Sequence, residues 1–223
     1  GPLKVLLAED SLVNQKLIVG LLEKNGNSVK VANNGREAVG ALESEQFDLV
    51  LMDVQMPEMD GFEATAEIRR REQSTKRHIP IIALTANAMP QEIERIESSG
   101  MDDVLIKPIS EQLICDIISK WFSVAPVTVE HQTKQHTEDN NAEIFSIEDA
   151  RKLANGNEAL AMELFTMLID ELPEHRRGIL QARKQNDLKM LREVTHKLNG
   201  ASRCCGTPAL RHAANSLENS ITH

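Results

Sequence analysis

FDLVLMDVQMPEMDG, residues 47–61, is the most informative stretch for predicting the fold of the first part of the chain. Its first half is a nearly continuous apolar run ending at Asp53, and such runs are typical of strands buried on both faces of a sheet. Its second half contains Pro57 and Gly61, which favour a turn. We therefore predict a buried strand over residues 47–52, with Asp53 at its carboxyl end.

Four further apolar runs flank this strand, with helical patterns between them. The predicted strands are 3–8, 29–32, 47–52, 79–84 and 104–106, and the predicted helices are 12–24, 36–42, 61–71, 91–98 and 111–122. This alternation predicts an α/β fold, a doubly wound parallel (βα)5 sheet covered by helices on both faces. In such sheets, ligands bind outside the carboxyl ends of the strands.

Five polar side chains follow the predicted strands at that edge: Glu9, Asp10, Asp53, Thr85 and Lys107. Clustered carboxylates repel one another unless a cation lies among them, and carboxylate oxygens suit Mg²⁺. A phosphoryl group on Asp53 would then meet the metal, the hydroxyl and the ammonium, as phosphoryl transfer by positioning and electrostatics requires. Taken singly, an aspartate at a strand end is more often a helix cap, so the prediction depends on the set.

A polar linker, residues 124–144, separates this domain, residues 3–123, from a second one, residues 145–223. The second domain reads as helices alone, and we predict a helical bundle. Its predicted helices are 146–154, 157–185, 187–203 and 207–222.

The last of these helices has an apolar stripe, made of Leu210, Ala213, Ala214, Leu217 and Ile221. Since only three of the predicted helices are long, we expect the bundle to lack its last helix, so that the second domain is truncated. Exposed apolar seams favour association. We therefore expect residues 145–223 to be loosely packed or to self-associate, while the first domain folds independently.

Composition argues against several functional classes. The net charge is −9, aromatic residues make up 3% of the chain, and residues 145–223 carry 11 basic and 10 acidic side chains. These values do not favour a nucleic-acid-binding surface. No apolar run is long enough to span a membrane and no signal-peptide pattern appears, so we expect a cytoplasmic fragment without membrane contact.

His196 is the notable side chain of the second domain. The apolar stripe of its helix, from Leu188 to Ala201, lies on another face, so we expect His196 to be exposed. The residues that share its face form a mildly basic surface suited to docking: Lys189, Arg192, Asn199, Gly200 and Arg203. A surface histidine taken alone usually has no function, and His175 reads as a packing residue.

Four motifs of the first domain resemble the receiver domain of two-component signalling, which has a flavodoxin-like fold. They are Leu6–Asp10, Leu51–Gly61, Leu84–Ala86 and Lys107–Pro108. The resemblance implies that Asp53 is the phospho-acceptor, that Thr85 is the switch hydroxyl and that Lys107 contacts the phosphate. It implies Mg²⁺ ligands at Glu9, Asp10, Asp53 and the Gln55 backbone carbonyl. Val104 stands where the family often has an aromatic residue.

Thr195–Ser202, with Gly206 after it, resembles the histidine-phosphotransfer (HPt) domain, although Asn199 stands where that family commonly has lysine. A receiver followed by an HPt domain resembles the end of a tripartite hybrid sensor histidine kinase of the BarA/GacS type, whose parent would be an inner-membrane sensor. The resemblance implies a phosphorelay in which the kinase core phosphorylates Asp53, Asp53 passes the group to His196, and His196 passes it to a separate response regulator. No glycine-rich ATP loop is present.

Two alternatives stay open at this point. The chain could be a response regulator whose helical half binds DNA, or an interaction module in which the receiver acts as a dimer switch and His196 is idle. A gel shift would distinguish the first alternative, and measured transfer from Asp53 would distinguish the second.

Overall fold

A computed structural model describes residues 1–75, 77–86, 89–122 and 144–221. The predicted linker lies outside the described residues except for Ile144. In the first domain the elements are β1 Lys4–Ala8, α1 Leu12–Lys24, β2 Ser28–Ala32, α2 Gly35–Ser44, β3 Leu49–Asp53, α3 Gly61–Thr75, β4 Ile81–Thr85, α4 Pro90–Ser98, β5 Asp103–Ile106 and α5 Glu111–Phe122. In the second they are α6 Ile147–Leu153, α7 Glu158–Gln185, α8 Leu188–Cys204 and α9 Pro208–Ile221.

The five strands form one parallel sheet in the order β2-β1-β3-β4-β5. Side chains of α1 and α5 belong to the apolar cluster on one face, and side chains of α2, α3 and α4 belong to the cluster on the other. The predicted doubly wound α/β fold is therefore confirmed. Its register pairs Asp53 with Leu84 and Thr85 with Ile106, which places the predicted site residues at one edge.

Local sequence explains how the chain leaves the strands at this edge. The Ser11 hydroxyl caps α1 by accepting a hydrogen bond from the backbone N–H of Asn14, so the helix begins just after the first acidic pair. Gly61 begins α3 where a Cβ would lie 2.3 Å from the carbonyl oxygen of Asp53. Only glycine allows that close approach of the helix to the end of β3.

The second domain consists of helices over its described residues, as predicted. Side chains of Ser146, Asn157 and Asp187 accept hydrogen bonds from backbone N–H groups and cap α6, α7 and α8. Gly206 has a φ of 64°, and a Cβ there would lie 2.4 Å from the Ser146 carbonyl oxygen. The turn between α8 and α9 therefore requires glycine.

The two domains pack against each other, because α1 contacts both α7 and α8. Leu164, Leu168 and Leu198 of the helical domain belong to the same apolar cluster as Leu17 and Leu21 of α1. On α9, Ala214 is buried, three stripe residues are half-buried and one is exposed. The first domain thus covers apolar surface of the helical domain, and self-association stays a prediction.

No helix in the described ranges has both the length and the apolar character needed to cross a membrane.

Candidate functional site

The acidic edge predicted from the sequence is present at the carboxyl ends of β1 and β3. Glu9 and Asp53 are 0% and 1% exposed, and Asp10 is partly buried. Oxygen atoms of the three carboxylates lie within 4.8 Å of one another. The fold therefore brings three negative charges together in a region with little water.

Lys107 partly neutralises these charges from the end of β5. Its Nζ lies 2.7 Å from Glu9 Oε2 and 2.6 Å from Asp53 Oδ2. Burial would lower the pKa of this ammonium, but the charges of Asp53 and Glu9 outweigh burial and raise the pKa above its ordinary value. Lys107 is therefore a fixed positive charge beside Asp53.

The other two carboxylates of the edge are those of Glu9 and Asp10, and two hydrogen bonds hold Glu9. Glu9 Oε1 accepts hydrogen bonds from the Ser11 backbone N–H at 3.2 Å and from Asn14 Nδ2 at 3.0 Å. Burial raises the pKa of Glu9, and burial also raises the pKa of Asp10. A divalent cation would relieve this cost, because it favours the charged form of every ligand.

The remaining predicted receiver residues lie where the sequence placed them. Thr85 is buried at the end of β4, and its carbonyl accepts a hydrogen bond from the Lys107 backbone N–H at 2.8 Å. The Gln55 backbone N–H donates to Asp53 Oδ1 at 3.2 Å, which fixes the segment that carries the Gln55 carbonyl. Val104 is half-buried on β5.

The donor set fits Mg²⁺. Its carboxylate oxygens converge at one edge, and hard oxygen ligands of this kind are those that Mg²⁺ accepts. Glu9 Oε2 is buried, and the Lys107 ammonium lies 2.7 Å from it, so this oxygen already faces a cation. Glu9, Asp10 and Asp53 could therefore hold the ion.

The prediction that His196 is exposed is wrong. His196 is 8% exposed, and its Nδ1 lies 2.7 Å from Glu218 Oε1 on α9. The apolar stripe of the helix gave the wrong exposure because it identifies a single buried face, whereas α8 packs against α7, α9 and α1. Leu188, at the start of the predicted apolar stripe, is 61% exposed.

The surroundings of His196 favour its protonated form. Burial would lower its pKa, but the hydrogen bond to Glu218 and the negative charge of Asp53 outweigh burial and raise the pKa above its ordinary value. The same contact lowers the pKa of Glu218, although burial alone would raise it. The helix of His196 packs against α1, and Lys197, the next residue, lies 2.9 Å from Asp10 Oδ2, so His196 is on the helix that faces the acidic edge.

Only part of the predicted docking surface contacts the other domain. A Cβ on Gly200 would lie 3.1 Å from Asn14 Nδ2 of the receiver, and Arg203 Nη1 lies 3.5 Å from the Lys107 carbonyl oxygen. Asn199 instead donates to Glu218 within the helical domain. Lys189 and Arg192 are exposed, near the other end of α8.

Three functional neighbours were not predicted. Glu218 holds the imidazole, Asn14 contacts both Glu9 and Cys204, and Lys197 Nζ lies 2.9 Å from Asp10 Oδ2. None carries a local signal, because each acquires its partner from another element. The interface could have been predicted only by recognising that the apolar face of α1 is larger than the first domain alone can cover.

Three further side chains of the helical domain, those of Cys204, Cys205 and His175, are buried or half-buried. Cys204 and Cys205 are buried, and burial raises the pKa of Cys204 to about 12, so its thiol stays protonated at neutral pH. His175 is half-buried near Glu171, with 3.6 Å between His175 Nε2 and Glu171 Oε2. The half-buried position of His175 agrees with its interpretation as a packing residue.

Comparison with known families finds a separate match for each part of the chain. Residues 5–119 match the response regulator receiver domain, and residues 163–222 match the Hpt domain. Nothing found favours the alternative of a DNA-binding helical half.

Similar curated proteins contain both parts. The chain is 39% identical over 96% of its length to the sensor histidine kinase GacS of Pseudomonas protegens, and 31% identical over 97% of its length to the signal transduction histidine-protein kinase BarA of Escherichia coli K12. It spans 24% of the length of each relative.

Solved structures resemble the receiver part. One is the receiver domain of the sensor histidine kinase PA1611 from Pseudomonas aeruginosa, with a magnesium ion in its active site cleft; it is 38% identical, has a TM-score of 0.50, and the match covers 54% of this chain and 98% of that one. Another is the Ssk1 receiver domain of Saccharomyces cerevisiae in complex with the histidine phosphotransfer protein Ypd1; it is 33% identical, has a TM-score of 0.50, and covers 54% and 88%. The chain therefore belongs to the response regulator receiver family and carries an Hpt domain after its receiver, the composition of hybrid histidine kinases of multistep phosphorelays.

Proposed function

We propose that this chain carries two consecutive steps of a multistep phosphorelay, with Asp53 as the receiver's phospho-acceptor and His196 as the acceptor in the Hpt domain. The observation that best supports this proposal is the docked arrangement, in which the helix of His196 packs against the receiver beside the acidic edge that contains Asp53. Both side chains are buried there. This arrangement shields a reactive acyl phosphate from water.

In the first step, an Asp53 carboxylate oxygen attacks the phosphorus of a phosphohistidine donor. The new P–O bond forms as the donor's P–N bond breaks, and the donor nitrogen keeps the bonding electron pair. Lys107 lies 2.6 Å from Asp53 Oδ2, where it can neutralise negative charge on the phosphoryl oxygens, and the Thr85 hydroxyl is proposed to contact another of them. Mg²⁺ held by Glu9, Asp10, Asp53 and the Gln55 carbonyl would supply further charge neutralisation.

In the second step, His196 attacks the phosphorus of the acyl phosphate. Its P–O bond to Asp53 breaks and the aspartate carboxylate is restored. Because Nδ1 contacts Glu218, Nε2 is the nitrogen left to attack. The attacking form is the neutral imidazole, whose proton stays on Nδ1 and is donated in a hydrogen bond to Glu218. As Nε2 bonds to phosphorus, the Glu218 carboxylate stabilises the positive charge of the ring, so we assign Glu218 a positioning role.

Transfer within one chain is supported by contacts that the two domains make beyond the site. Lys16 of α1 is ion-paired with Glu163 of α7 at 2.9 Å, and Cys204 Sγ lies 3.1 Å from Asn14 Oδ1. These contacts orient α8 over the carboxyl edge of the sheet. Holding donor and acceptor together replaces a bimolecular encounter by an intramolecular step.

The proposed partners follow from the relay. A kinase core of the parent protein supplies the phosphoryl group to Asp53, and the receiver of a separate response regulator accepts it from His196. Since α8 presents the same face to each receiver, the attached receiver must undock before the separate one binds. A parent anchored in the inner membrane, with this part in the cytoplasm, belongs to the same proposal.

The test is radiolabelling of the full chain with acetyl phosphate and Mg²⁺. Asp53→Asn should abolish labelling of both domains, whereas His196→Gln should leave Asp53 labelled and remove label from the helical domain. His212→Gln is the matched control, because His212 is exposed on α9 and should transfer normally. Label in the helical domain of His196→Gln would refute the choice of histidine, and normal labelling of Asp53→Asn would refute the acceptor.

A further inference from the structure

Lys197, the residue after the proposed phospho-accepting histidine, reaches across the domain interface. Its Nζ lies 2.9 Å from Asp10 Oδ2 of the receiver. The Asp10 side chain is 5% exposed, whereas the Lys197 side chain is 36% exposed. An ammonium from the helical domain therefore neutralises a nearly buried carboxylate that belongs to the proposed metal-ligand set.

The charges at the acidic edge are thus divided between two domains. Lys107 is ion-paired with Glu9 and Asp53, and Lys197 is ion-paired with Asp10. Docking completes the pairing of the three carboxylates without a metal ion. When the helical domain undocks, Asp10 loses its ammonium, and its carboxylate oxygens become free to bind another cation.

We propose that Lys197 and a divalent cation compete for Asp10, so that docking of α8 on the unphosphorylated receiver and Mg²⁺ binding are negatively linked. This inference rests on the proposed metal site. Linkage is reciprocal, so Mg²⁺ weakens docking by the same factor by which docking weakens Mg²⁺ binding. The metal-loaded receiver then holds α8 less tightly, and Asp53 is accessible to an incoming phosphodonor.

The test is calorimetric titration of the full unphosphorylated chain with Mg²⁺. Lys197→Gln should bind Mg²⁺ more tightly than the unaltered chain, by about fivefold, the lower end of typical couplings because the lysine is partly exposed. Lys197→Arg keeps the charge and should bind as the unaltered chain does. Lys184→Gln, the same charge change at an exposed position of α7, should also leave the affinity unchanged.

Hydrogen exchange supplies the second readout. Adding Mg²⁺ should increase exchange across residues 12–24 in the unaltered chain, because α1 loses its cover, and should do so less in Lys197→Gln. Equal or weaker Mg²⁺ affinity in Lys197→Gln would overturn the linkage, and so would an equal gain in Lys184→Gln. If Asp53 and His196 still label normally, those outcomes leave the proposed relay standing, whereas absence of Mg²⁺ binding in every variant would refute the metal site as well.

Discussion

Asp53 and His196 are both buried, yet their surroundings come from different parts of the molecule. The neighbours of Asp53 stand at the ends of strands of its own sheet, where parallel register fixes them. His196 is held by Glu218 of another helix of its own domain, and its helix α8 packs against α1 of the other domain. The network of Lys107, Glu9 and Asp53 is therefore preformed by one fold, whereas the approach of His196 to Asp53 depends on docking. Changes within the sheet should affect stability and chemistry together, and changes at the interface should affect transfer.

The largest effect is expected from removing the buried cation. Lys107→Met should lower the free energy of unfolding by about 3–5 kcal/mol without Mg²⁺, because Glu9 and Asp53 are left as uncompensated buried charges. Added Mg²⁺ should restore part of that loss. Urea denaturation with and without Mg²⁺ measures both effects.

Arg36→Met is the control for that loss. Arg36 is also ion-paired, with Glu58, but both side chains are exposed, by 69% and 61%. The expected change is within about 1 kcal/mol, as for other exposed pairs. Equal losses in the two variants would contradict the description of the Asp53 site as a preformed buried network.

A bulky side chain at Gly200 should affect the second site without affecting the first. Gly200→Leu overpacks the interface against Asn14, and about 1–3 kcal/mol of overpacking corresponds to a transfer rate slower by about 5-fold to 150-fold. Asp53 should still be labelled at the normal rate. Rapid-quench measurement of the two steps separates these outcomes.

Gly40→Leu is the matched variant, because Gly40 lies inside α2 and a Cβ there meets no atom within 4 Å. It should transfer normally from Asp53 to His196. Helix propensity favours leucine over glycine at both positions, so a transfer defect as large as that of Gly200→Leu would show that crowding at the interface does not cause the loss.

The His196–Glu218 pair should make stability depend on pH. The raised pKa of folded His196 contributes stability below its ordinary value of 6.5, and that stability is lost as pH rises through the folded value. Glu218→Gln should lower the His196 pKa and should destabilise the protein more below pH 6.5 than in alkaline solution. NMR titration of the imidazole checks the pKa, and an unchanged value would show that Glu218 does not control the ring.

The smallest effect is expected at the half-exposed pair of Lys16 and Glu163. Lys16→Glu should weaken docking by about 1 kcal/mol or less, and only at low ionic strength. Exchanging the charges, with Glu163→Lys added, should restore the transfer rate. If the exchanged variant is as slow as the single one, this pair does not orient the domains.

The difference between the surroundings of Asp53 and those of His196 also explains how much the sequence could predict. Order and type of the strands followed from apolar runs, and parallel topology brought Glu9, Asp53 and Lys107 to one edge. Boundaries were less accurate: β4 begins at Ile81 rather than two residues earlier, and Pro80, just before it, lacks the N–H that a ladder uses.

The second site was less predictable because its contacts are tertiary. His196 was identified by its motif, but its burial was missed, since helical periodicity does not reveal a third packing partner. Glu218 is 22 residues from His196 on another helix, and Lys197 acquires its role only from a carboxylate of the other domain.

The central claim is that one chain holds donor and acceptor together. The most direct measurement is single-turnover transfer from phosphorylated Asp53 to His196 at increasing protein concentration, beside an equimolar mixture of Asp53→Asn and His196→Gln chains. The unaltered chain should transfer at a rate independent of concentration, and the mixture should be slower, with a rate that rises with concentration. A rate proportional to concentration in the unaltered chain, matched by the mixture, would contradict it.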